Sequence, residues 1–319
     1  MAVIFGRNTF CVTAPETTWG TTPGSFNTNA NRVISTTLAR TIERDGATHL
    51  SSSDGAVRRS YFDVSESTGG NLTTPLYWDS CGLFLKAALG DVSTAPSGPS
   101  FVHQYVTNTT DLPSFSLRLQ RGSDANGMEE FSGLKVSTAS IDVSNGTEAV
   151  MSMELIGKTG LTRGSKITPT YNAAAQQVYH YQGGQLTFDG NSYHISSMSI
   201  SIDNKLSRRQ VLGSLLTLEP DVTDFRDIQM SVSLTAENNN LYNAMLAKTE
   251  GAVEVVFTKT GSTDQMIFRF QNAVITDYSD DIGTVGIIEQ SVTFAALATN
   301  TTEAFKITLK NQNASAITP

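Results

Sequence analysis

"LYWDSCGLFLKAALGD" (Leu76–Asp91) and "NNLYNAMLAKTEG" (Asn239–Gly251) are the two stretches on which the fold turns. Each reads as one short helix inside a chain that otherwise alternates apolar and polar residues in the manner of β-strands. In the first, Cys81, Phe84, Leu85, Ala88 and Leu89 follow i, i+3, i+4, i+7 and i+8, which gathers them on one face. Gly90 and Gly251 supply the stops. A helix this short among strands is expected to cover one face of a β-sandwich or curved sheet.

The flanks of the two helices correspond. "YFDVSESTGGNLTTP" (Tyr61–Pro75) leads into the first, and "TDFRDIQMSVSLTAENN" (Thr223–Asn239) leads into the second. A strand follows each, Ser114–Leu119 or Val253–Phe257, then a Gly-containing turn and two longer strands. The longer pairs are "GLKVSTASIDVSNGTEAVMSMELIG" (Gly133–Gly157) and "FRFQNAVITDYSDDIGTVGIIEQSVTFAAL" (Phe268–Leu297). Upstream of each helix a long polar loop ends in paired arginines, Arg58-Arg59 and Arg208-Arg209. Order and spacing therefore predict a mainly β protein made by tandem duplication, with modules 1–158 and 178–319 and a polar linker over 159–177. "DVSTAPSGPS" (Asp91–Ser100) reads as a loop within the first module. Asn145-Gly146 and Asp189-Gly190 read as tight hairpin turns, since a type I′ turn needs φ > 0 at both central residues.

Composition narrows the function classes. The 319 residues carry a net charge of −8, with 39% hydrophobic and 16% charged residues, which suits a globular fold. Residues 1–165 contribute −3 and 166–319 contribute −5, so neither half offers the basic surface that grips nucleic acid. No stretch approaches the roughly 18 apolar residues of a membrane span, and "MAVIFGRNTF" is not read as a signal peptide. Cys11 and Cys81 are expected to be buried free thiols instead of a disulfide.

Chemistry is sparse. His49, His103, His180 and His194 stand in unrelated contexts without metal-ligand spacing. "SDANGMEE" (Ser123–Glu130) lacks the spacing of a calcium loop, and no nucleophile elbow, phosphate loop or dinucleotide fingerprint is present. No catalytic, cofactor or metal residue is assigned. Arg58, Arg59, Arg208 and Arg209 are the candidates for contacts with a partner, against the simpler reading of solvated arginines.

"ETTWGTTP" (Glu16–Pro23) and "GLFLKAALG" (Gly82–Gly90) are the distinctive motifs, and the chain resembles the tail tube proteins of long-tailed bacteriophages. Members of that family share an E-T-x-W-G-T stretch and a G-x-x-L-K-A-A-L-G helix. "SISIDN" (Ser199–Asn204) and "VTFAAL" (Val292–Leu297) are similar to the family too. The resemblance implies a non-enzymatic virion component without cofactors. Its β-sandwich or barrel-like modules, each flanked by one helix, would stand six to a ring in a hollow tube that conducts viral DNA. Two modules per chain imply a homotrimer with pseudo-sixfold symmetry; six chains would be needed if the second half were a decoration. The implied partners are further copies of the chain, a tape measure protein, and terminator and tip proteins, with DNA passing unbound and no membrane contact. The competing reading is a β-rich binding module such as an adhesin or carbohydrate-binding domain, which would need an exposed aromatic platform; Trp19 and Trp78 read first as packing residues.

Overall fold

The computed structural model describes residues 4–26, 29–47, 58, 60–78, 80–107, 111–161, 163–171, 184–259, 261–281, 288–298 and 303–317. The first half contains β1 (Phe10–Pro15), β2 (Asn31–Arg32), β3 (Ser35–Thr36), β4 (Ala39–Gly46), β5 (Tyr61–Pro75) and α1 (Gly82–Leu89). It continues through β6 (Gly90–Ser97), β7 (Ser100–Thr107), β8 (Phe115–Gln120), β9 (Met128–Ser144), β10 (Val150–Gly157) and β11 (Thr159–Gly160). The second half contains β12 (Gln185–Phe188), β13 (Asn191–Tyr193), β14 (Ile195–Asp203), β15 (Leu206–Ser207), β16 (Asp221–Val222) and β17 (Asp227–Thr235). It ends with α2 (Asn240–Ala247), β18 (Gly251–Thr258), β19 (Gln265–Asp281), β20 (Glu289–Ala296) and β21 (Phe305–Asn311). The protein is mainly β, and its named strands pair antiparallel.

One continuous sheet dominates. Its strands run β4, β5, β10, β9, β14, β17, β20, β19. Alternation along each strand sends Ile141, Met153, Ile200, Met230 and Phe294 to one face, all essentially free of solvent. A second layer covers that face. It is built from β1 on β8 in the first half, and from β12, β18 and β21 in the second, with β7 of the first half paired to β21. The long strands β9 and β19 belong to both layers. The front of β9 pairs with β8 and its rear with β10; the front of β19 pairs with β18 and its rear with β20. Phe188 meets Phe294 across the layers at 5.2 Å between ring centres.

The ladders of the two halves follow one pattern. The pairings β1–β8, β8–β9, β9–β10, β10–β5 and β5–β3 are matched by β12–β18, β18–β19, β19–β20, β20–β17 and β17–β14. Register corresponds as well: Ser35 faces Thr73 as Ser199 faces Ser231. The halves are also joined to each other, by β9 to β14 and by β7 to β21.

Three local readings change. Asp91–Ser100 is not a loop, because β6 and β7 form a hairpin that turns at Gly98 (φ +64°) and lies on β21 of the second half. Asn145-Gly146 is not a type I′ hairpin turn: Gly146 is left-handed at φ +79° while Asn145 is not, and the pair centres a β-turn, closed by the Thr147 amide on the Ser144 carbonyl, within a longer loop between β9 and β10. Asp189-Gly190 has both positive φ values, +47° and +76°, as its hairpin requires. Finally α1 is not one-sided. Every residue except Lys86 is buried, because neighbouring elements cover it all round.

Candidate functional site

The outward face of the eight-stranded sheet follows from the same alternation that builds the core. Its positions are filled by Thr73, Ser140, Ser152, Ser199, Ser201, Ser231, Ser291 and Thr293, small hydroxyl residues that pack closely without a large apolar surface. The charges among them are Asp142, Glu154, Asp203, Asp227, Asp277 and Glu289. Across the middle of this face, over residues 71–75, 150–154, 138–144, 197–203, 227–235, 289–295 and 273–281, no Lys or Arg stands; Arg44 of β4, opposite Asp63, and the buried Lys135 of β9, opposite Ile156, lie outside that stretch. A shallow groove of about 530 Å³ runs across it from Asn71 and Thr73 to Asp227 and Gln229.

Local bonds hold the acids in place. Asp142 accepts from the Ser140 hydroxyl at 2.9 Å and from the Ser199 hydroxyl at 2.6 Å, bridging β9 and β14. Burial pushes the Asp203 carboxyl up, but hydrogen bonds from the Lys205 ammonium and amide outweigh it and leave the carboxyl below its ordinary value. The middle of the surface is therefore anionic at neutral pH, with Lys205 and Arg208 at the rim.

This face ends at two open edges. Among the described residues, β3 and β4 pair with β5 alone, and the rear of β19 pairs with β20 alone. Between those ends the halves meet along β9 and β14, a seam tied by polar groups. Asn204, fully buried, donates from Nδ2 to the carbonyls of Ala88 and Val136, both at 3.0 Å. Arg226 donates to the Leu89 carbonyl at 3.1 Å. Lys135, with no solvent exposure, pairs at 2.7 Å with both Asp111 and Glu219 and so fixes the root of the loop after β14.

The predicted arginines divide. Arg208 is used inside the chain: it donates to the Thr68 carbonyl at 2.7 Å, beside the Leu215 carbonyl that accepts from the Glu66 amide. It lies at the rim of the polar face, close to Glu154. Arg209 pairs with Asp221, and Arg58 reaches Asp45 at 3.5 Å; both arginine side chains stay about half exposed. Arg59, His49 and His180 lie outside the described residues. The structure does not bring the described arginines into one cluster. His194 is exposed, whereas His103 is buried between the Thr94 hydroxyl and Asn311. Cys11 and Cys81 are free and buried, and burial pushes the Cys11 thiol up to about 12.

The motif "ETTWGT" has a structural task that its sequence does not announce. The Glu16 carboxylate accepts four bonds, from Ser114 and Gly20 at 2.8 Å, Gly133 at 2.7 Å and Ser116 at 2.5 Å. Trp19 donates to the Gly133 carbonyl at 3.0 Å and carries the Lys158 ammonium over its ring. Gly133 is left-handed, φ +69°, at the point where β9 passes from one layer to the other. Trp78 is buried, so neither tryptophan forms an exposed platform.

Over residues 6–296 the sequence matches the family described as phage tail tube protein. The chain belongs to that family. It is thus a structural component of a phage tail. No curated protein matches the sequence closely enough to add a relative.

Proposed function

We propose that the chain assembles with copies of itself into stacked rings, and that the Ser/Thr-rich acidic face of the eight-stranded sheet lines a channel through which viral DNA is ejected. The observation that carries this reading is that face, acidic and without Lys or Arg across its middle, lying between two open strand edges. Each phosphate held by a basic side chain releases counterions and strengthens retention, so a conduit works by avoiding such contacts. An anionic wall keeps duplex moving.

The matched ladders support two tandem modules per chain, 1–158 and 178–319 about a linker at 159–177. Three chains then supply the six modules of a ring with pseudo-sixfold symmetry, the arrangement we favour over six chains with a decorating second half. Head-to-tail interfaces of this kind close into rings. Arg58, Arg59 and Arg209 are assigned to contacts between copies. A tape measure protein would occupy the channel during assembly, and terminator and tip proteins would cap its ends. The chain's place is the virion tail, after synthesis in the bacterial host.

Negative-stain imaging of the purified protein tests the reading. Tubes with a central channel and near-sixfold cross-sections are expected, with no salt-sensitive retention of duplex DNA. A protein that stays a 34.3 kDa monomer at high concentration, or tubes that bind duplex tightly at low salt, would overturn it.

A further inference from the structure

The seam inside the chain is a template for a contact outside it. Its β9 side has a counterpart in β19: both are 17 residues long and both bend from one layer into the other. Asp142 of β9 faces Val150 of β10 as Ser279 of β19 faces Ser291 of β20. Its β14 side has a counterpart in β3, where Ser35 faces Thr73 as Ser199 faces Ser231. Across the seam Asp142 faces Ser199. The counterparts of those two residues, Ser279 and Ser35, stand on the two open edges.

We infer that a second copy of this chain completes the seam: the rear of β19 in one copy adds antiparallel to residues 33–39 of the next, with Ser279 opposite Ser35. This rests on the ring proposed above and names its edges and register. Three further observations favour a second copy as the occupant. The β3 edge opens on a groove of about 510 Å³ that has Val33, half-exposed Ile34 and Ser35 along one wall; Arg121, on another, is already held by Glu129 and the Leu38 carbonyl. The β19 edge is polar and accessible, with exposed Asp277 and Asp280. Exposed Tyr242 and Leu246 lie on α2, whose Tyr242 ring leans on Tyr278 of β19, in the place where α1 is covered by the second half.

Register makes the proposal specific, because a shift by one residue turns every side chain to the opposite face. Two singly substituted proteins, Ser35→Cys and Ser279→Cys, are mixed, assembled and treated with a mild thiol oxidant; Cys11 and Cys81 are buried and stay silent. Covalent dimers are expected only in the mixture, and Thr36→Cys mixed with Ser279→Cys should yield at least tenfold less. Tubes without dimers would overturn the pairing and leave the tube reading standing. Dimers formed equally through Thr36 would overturn the register. Neither tubes nor dimers, from variants whose circular dichroism remains strand-dominated, would overturn both.

Discussion

The two helices hold the same place in the order of elements, yet one is a core element and the other a surface element. α1, "GLFLKAAL", is buried at every residue except Lys86; in α2, "NLYNAMLA", only Leu241 is buried. The cause lies in their surroundings. Asn204 and Arg226 of the second half cap the carbonyls of Ala88 and Leu89, and the C-terminal segment closes on Gly82 and Tyr105 through the Ala316 carbonyl. α2 rests on β19 and leaves Tyr242 42% and Leu246 61% exposed. Burial of the helix reports whether a seam has been made beside it. The chain holds one seam made and a matching one unmade.

The largest expected effect tests that difference directly. Phe84→Ala removes a ring packed edge-on to Phe115 and should cost about 3–5 kcal/mol in urea unfolding. Tyr242→Ala in the unassembled protein should stay within about 1 kcal/mol, since half-exposed positions contribute little. Equal losses would break the comparison. Loss of tubes with Tyr242→Ala, at unchanged monomer stability, would sharpen it.

Why the sequence disclosed some of this and hid the rest is a matter of range. The alternation in Ala139, Ile141 and Val143, and the i, i+3, i+4 spacing around Phe84, are local signals of burial, and both elements are where that spacing puts them. The all-round burial of α1 is not local. It depends on Asn204 and Arg226, more than 100 residues away along the chain. Likewise Asp91–Ser100 looks like a loop because Pro96 and Gly98 break its pattern; only β21, at the far end of the chain, makes it a strand pair. The acidic face was legible as a charge balance, and its assembly on one side of the sheet follows from strand alternation. The role of Glu16 was hidden, since its four donors come from three separate segments.

Glu16 gives the next effect in size. It fixes the bend of β9 at Gly133 with a carboxylate, whereas Phe270 in the front half of β19 meets Phe305 edge-on at 5.0 Å between ring centres. Glu16→Ala leaves four donors without their acceptor and should lower stability by about 2–3 kcal/mol. Glu16→Gln, which keeps one acceptor oxygen, should recover part of that in thermal unfolding. Full recovery would mean the charge adds nothing at the bend.

Asn204 measures the seam itself. Asn204→Ala strands the carbonyls of Ala88 and Val136 and should cost about 1–3 kcal/mol. Amide hydrogen exchange should rise at α1 and β14 together and leave α2 unchanged. Faster exchange at α2 as well would show that the two helices are not independent of each other.

The smallest effect is a pH dependence at the rim of the seam. Glu66 is paired inside the chain: its amide donates to Leu215, and its carboxylate takes Arg40 and the Thr159 hydroxyl, each at 2.8 Å. Burial pushes the carboxyl up, yet those two bonds together bring it below its ordinary value of 4.5. The unfolded chain thus takes up this proton at a higher pH than the folded one, so the contribution is complete above 4.5 and is lost as pH falls through the lower folded value. Asp224 stands at the corresponding point of the second half, on the open rim beside Phe225, which is 93% exposed. Stability of the unassembled protein should accordingly fall more steeply below pH 4.5 than that of Glu66→Gln. Equal slopes in the two proteins would mean that the bonds of Glu66 to Arg40 and Thr159 add nothing to folding, and the contrast between a made and an unmade seam would fail there.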